Sequence, residues 1–206
     1  MKNPQLRRLS SAFVALFCLF ALLACSGIPL RSFPRLVQLQ SELLDANPAE
    51  FMVAIEADTR MIPPPGASPL LQIDVRPAKT GAFDPIERNL PMRFVVVTAN
   101  SLGLAPPPAN RRWLIYSLTA ESQAELARIQ EFFRQRRGQA ANKKGGTLSL
   151  GIAQDGVATK DPALAATRWE SWLQVSRQEG FFELWSGSVA QLLQQAEAAR
   201  AGKSDQ

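Results

Sequence analysis

The chain has no histidine and one tyrosine, and its two cysteines, Cys18 and Cys25, both lie near its start. Without imidazole, neither a Ser-His-Asp nor a Cys-His pair can exist, and the usual near-neutral base and zinc ligand are missing. A chain beginning at Cys25 carries one thiol and can close no internal disulfide. Its fold must then rest on packing, which about 150 ordered residues can supply. Long apolar runs are also lacking: residues 12–24 fall short of the roughly 20 needed to span about 30 Å of hydrocarbon. Nor is there a strong charge of one sign. The net charge of +5 includes Lys2, Arg7 and Arg8; without these three, 20 of the 23 basic residues stand against 18 acidic ones, or +2. That balance argues against a nucleic-acid partner, whose phosphates call for clustered cations that displace many counterions.

What is present first is a leader. Lys2, Arg7 and Arg8 precede the apolar residues 12–24, the secretory pattern of a basic start followed by an apolar stretch and small residues. The sequence Leu22-Leu23-Ala24-Cys25 resembles the bacterial lipobox: an aliphatic residue three before the cysteine, a small residue just before it, then the cysteine. Resemblance to bacterial lipoproteins covers residues 1–25 and implies cleavage before Cys25, a diacylglyceryl thioether on its sulfur and an acyl group such as palmitate on its new amino terminus. Several acyl chains anchor stably where one binds only marginally. Ser26 rather than Asp follows the cysteine, which under that family's sorting rule implies the outer membrane, facing the periplasm, with export to the cell surface as the alternative. The body resembles small envelope lipoproteins of Gram-negative bacteria but carries no shared motif.

Over 206 residues, a 46% hydrophobic and 20% charged composition fits one globular domain behind a targeting segment. The expected organisation is a signal peptide at 1–24, a lipidated tether at 25–35 rich in Pro and Gly, a single domain at 36–200 and a flexible tail at 201–206. Leu36, Leu39, Leu43 and Leu44 recur at helical spacing before Asn47-Pro48. Residues 51–57 place Phe51, Val53, Ile55 and Ala57 on one strand face, and residues 70–76 turn Leu71, Ile73 and Val75 inward. Residues 92–98 read as a more deeply buried strand, 112–118 as a fourth, 147–153 as a fifth, and 169–175 with 181–185 as a hairpin turning at Gly180. Thr119 is placed to cap the clearest helix, whose stripe is Leu126, Ile129, Phe132 and Phe133. Ser188 opens another short helix, carrying Val189, Leu192, Leu193 and Ala196. The expected class is α+β, an antiparallel sheet of about seven short strands with one main helix packed on it.

Two groups of residues stand out as candidate sites. Arg134, Arg136, Arg137, Lys143 and Lys144 form a cationic cluster without an intervening acid, suited to an anionic lipid surface at about 1 kcal/mol per cation, or else to a solvated helix end. Trp169 and Trp172, in an aromatic-rich stretch with Phe181, Phe182 and Trp185, could stack on a ligand; on a strand these two tryptophans face opposite ways. Asp155 and Asp161 have the wrong spacing for a calcium loop and suit a turn and a cap, and Gly145-Gly146 after Lys143-Lys144 lacks the frame of a phosphate-binding loop.

The function expected from these residues is a non-enzymatic binding or scaffolding role in the envelope, without cofactor or metal. Its partners would be the membrane through lipid on Cys25, and an envelope protein or anionic lipid. Two alternatives come from other classes. A carboxylate-dependent glycan or lipid hydrolase would need two carboxyl groups about 5 to 9.5 Å apart in a cleft, drawn from residues such as Asp74, Asp84, Glu170 and Glu183. An amphiphile carrier would need an apolar cavity of about 300 Å³ or more.

Overall fold

A computed structural model describes residues 42–77, 83–97, 99–137 and 146–204. Leu71, Ile73 and Val75 are buried while the residues between them are not, so the period-two pattern of this stretch makes a strand with one wet face. It is one of seven strands: β1 (Met52–Asp58), β2 (Leu70–Pro77), β3 (Ile86–Phe94), β4 (Arg111–Leu118), β5 (Gly146–Ala153), β6 (Arg168–Gln174) and β7 (Phe182–Ser188). All pair antiparallel, in the spatial order β5-β2-β3-β4-β1-β6-β7. Two long helices among the described residues, α1 (Ala120–Arg137) and α2 (Val189–Ser204), complete an α+β fold.

Burial of β1 goes further than its alternation suggests, because both of its faces are covered. Phe51, Val53, Ile55 and Ala57 join the main core with Leu114, Tyr116, Leu126 and Trp169. On the reverse face, Met52 and Ala54 pack with Ile115 under Leu104, and the ring of Trp113 meets that of Trp172 edge-on at 6.2 Å. The connection between β3 and β4 thus roofs the outer side of the central strands.

The strand expected at residues 92–98 is displaced. β3 begins at Ile86, pairs with β2 as far as Pro91, then changes partner and pairs with β4 from Met92 to Phe94. Proline has no N–H to give a ladder, which suits the point where the strand leaves one neighbour for another. Val96, expected to be buried, is 91% exposed. The Pro91 carbonyl accepts a hydrogen bond from the Ser122 hydroxyl at 2.7 Å, tying the start of α1 to this bend. α1 itself begins as its sequence requires: the Thr119 hydroxyl accepts from the Ser122 amide at 3.1 Å, and the amide and hydroxyl groups of this first turn hold the Glu121 carboxyl below the usual carboxylate range. Leu126 and Ile129 then bury against the sheet, and Gln130 fixes the turn before β1 by donating to the carbonyls of Leu43 and Ala46. Residues 42–45 are helical with Leu43 buried; the remainder of the helix expected from Leu36 onward lies outside the described residues.

Candidate ligand groove

β5 and β7 are the two edges of the sheet, and the sheet curls until both line one groove of about 700 Å³, with α2 along its side. The β5 wall presents Leu150 and Ile152, whose inward alternation continues that of β2. The opposite wall combines Leu184 and Trp185 of β7 with Leu192, Ala196 and Ala199 of α2. Spacings of four, then three, residues put these α2 side chains on one helix face, and the two alanines leave open volume where larger residues would fill it.

α2 is held in place at both ends. The Ser188 hydroxyl accepts from the Gln191 amide at 3.2 Å while the Gln191 side chain accepts from the Ser188 amide at 2.8 Å, a reciprocal capping box at the junction with β7. Near the other end, Arg200 is ion-paired with Asp155 in the turn after β5, so a charge pair straps the helix across the groove.

Beneath the groove sits a small buried polar network. Gln154 donates to the Ser171 hydroxyl at 3.0 Å and accepts from the Trp169 indole at 2.9 Å, joining the end of β5 to β6. Gly187 explains the position of Trp185: a Cβ at Gly187 would lie 2.6 Å from the indole ring, so the missing side chain lets the ring lie against the backbone of its own strand.

A second hollow, of about 390 Å³, lies beside the turn that precedes β1 and is lined by Glu42, Asp45, Glu50 and Glu179. Glu50 already has a structural partner, since its carboxylate accepts from the Arg177 amide at 2.9 Å. No set of three acidic, cysteine or histidine side chains among the described residues is arranged to hold a metal ion, and no described helix is long and apolar enough to cross a membrane.

The residues singled out in sequence scatter. Of the two tryptophans, Trp169 is fully buried at 0% exposure, its indole N–H spent on Gln154 in the core. Trp172 points to the other face, as strand geometry requires, and is half-buried against Trp113 away from the groove. Arg134 is exposed and 3.0 Å from Glu131; Arg136 and Arg137 end α1, while their side chains, Lys143 and Lys144 lie outside the described residues. So do Cys25, Leu22, Leu23 and Ala24. Asp161 caps the short turn Pro162–Leu164, as its position suggests.

The four acids considered for hydrolysis line neither hollow. Asp74 pairs with Arg76 at 3.2 Å, Asp84 is exposed before β3, Glu183 is buried on β7, and Glu170 sits between Arg168 and Arg111. That last contact belongs to a network unforeseen in the sequence: Arg111 is ion-paired with Glu56, itself only 7% exposed, and donates to the carbonyls of Glu56 and Arg168 at 2.9 Å. The groove residues Gln154, Ala196, Ala199 and Arg200 were likewise missed. The signal available was small residues at helical spacing on α2, and nothing in linear order connects α2 to β5.

Compared with protein-family models, curated proteins and solved structures, the chain matches none.

Proposed function

We propose that this chain is a lipid-anchored envelope protein that binds an amphiphile in the groove between β5 and α2 and carries out no chemistry on it. The observation that carries the reading is the groove: about 700 Å³, bounded mainly by Leu, Ile, Ala and Trp side chains, within the range of small-molecule sites. Its single carboxylate, Asp155, is paired with Arg200, whereas a two-carboxylate hydrolysis needs a second acid in the same cleft. Anchoring rests on the sequence Leu22-Leu23-Ala24-Cys25 after an apolar leader. Lipid on Cys25 would hold the domain beside the membrane and raise its effective concentration for amphiphiles and envelope partners there.

Intact mass and membrane fractionation of the wild type beside Cys25→Ser, expressed in a Gram-negative host, test the anchor. The wild type is expected in the membrane with added acyl mass and the variant without it; an unlipidated wild type released to the periplasm overturns this part. Ala196→Trp tests the groove. It places a large ring in the open volume from a partly exposed helix position, so it should abolish binding of an alkyl probe while leaving the circular dichroism unchanged. Undiminished binding by a folded Ala196→Trp protein would place the ligand elsewhere.

A further inference from the structure

On the reading that the groove binds an amphiphile, its charges narrow the class. Among the residues lining it, Asp155 and Arg200 alone are charged, and they are paired with each other at one end. Its remaining polar side chains are neutral: Ser68, Gln72 and Gln195, with Gln154 already committed to Trp169 and Ser171 beneath the groove. A charged head group seated here would surrender hydration without meeting an unopposed counter-charge, a cost that a neutral head avoids. Amides and hydroxyls, by contrast, both donate and accept, which matches a head made of hydroxyl groups. The volume suits a single ligand of modest size.

We infer that the groove selects an uncharged, hydroxyl-bearing, single-chain amphiphile, and that Arg200 sets this selectivity by cancelling the field of Asp155. Arg200 is suited to that role because its side chain is 65% exposed while that of Asp155 is 14% exposed, so the arginine can be changed without opening the core. Arg200→Gln leaves the Asp155 carboxylate facing the groove end without this guanidinium and should turn preference toward a cationic head. Arg200→Lys keeps the charge and should keep the neutral preference, though without the forked geometry of arginine.

The test uses the lipidated full chain in phosphatidylcholine nanodiscs with three diazirine-bearing dodecyl probes whose heads are maltoside, trimethylammonium and sulfate. Photolabelling of peptides from residues 146–156 and 184–200 is quantified by mass spectrometry and normalised to labelling of the nanodisc scaffold. Expected labelling by the maltoside probe exceeds that by either charged probe by about tenfold, a ratio corresponding to roughly 1.4 kcal/mol. In Arg200→Gln the trimethylammonium probe should rise above the sulfate probe, and Arg200→Lys should resemble the wild type. Equal groove labelling by all three heads, abolished by Ala196→Trp, would sink the charge inference while leaving amphiphile binding intact. Preferential labelling by a charged probe in the wild type would also overturn it. Absence of groove labelling by any probe would remove the amphiphile reading itself.

Discussion

Gln154 is one side chain on which two strands and a buried indole depend. Its amide serves Trp169 and Ser171 at once, and all three are buried, so Gln154→Leu leaves an indole N–H and a hydroxyl without these partners inside the core. An unsatisfied buried donor costs about 1–3 kcal/mol, and urea unfolding should show a loss of that size. Trp169→Phe opens a cavity of its own, but the double variant with Gln154→Leu should lose less than the sum of the two single losses; strictly additive losses would mean the indole does not depend on the amide. Tyr116, 1% exposed in the core, offers a pH-dependent test. Burial pushes its hydroxyl from an ordinary 10.0 up to about 12. The folded state therefore holds the proton more tightly, so its stabilising effect is complete below pH 10 and is lost as pH climbs from 10 to 12. The loss amounts to roughly 2–3 kcal/mol at about 1.4 kcal/mol per pH unit, and Tyr116→Phe should flatten Tm against pH across that window. Residue type foretold little of this. An aromatic-rich stretch is equally consistent with a stacking surface and a core, and only the buried amide beside Trp169 decides between them.

Among the elements, α2 matters most to the groove because it forms one wall and is secured by few contacts. Removing the Ser188 hydroxyl takes one partner from the capping box, so Ser188→Ala should cost about 1 kcal/mol and speed amide exchange in the first turn of α2 more than in α1. Unchanged exchange there would mean that the packing of Val189 and Leu192, with the Val189 and Ala190 amides bonded to the Thr167 and Ala165 carbonyls, fixes the helix start without the cap. Elements whose cues are local were legible in sequence: the Thr119 cap, the alternation of residues 70–76, the turn at Gly180 with its φ of +70°, and the hairpin around it. β3 was misplaced because its most apolar stretch is not where its partners are. Ile86–Pro91 is a polar segment made into a strand by β2, whereas Val96 and Val97 run past the ladder into water.

For the whole molecule, ligand and stability are linked. An amphiphile at a hundredfold excess over its Kd should stabilise the folded chain by about 2.7 kcal/mol and raise Tm by roughly 5–10 °C, and Ala196→Trp should cancel the rise in a differential scanning experiment. The class of fold and the number of strands could be read from periodicity, but the groove could not. It is assembled from the ends of β2 and β5, the middle of β7 and the far face of α2, which meet only because the sheet curls. That strand order also bears on how the protein is made. β1, the first strand among the described residues, lies between β4 and β6, so its two neighbours are supplied about 60 and 115 residues later. A chain delivered amino end first offers a hydrophobic strand with open edges until Arg168–Gln174 arrives. During synthesis the sheet therefore closes late, and the half-finished forms are the ones that present an unpaired edge to other chains.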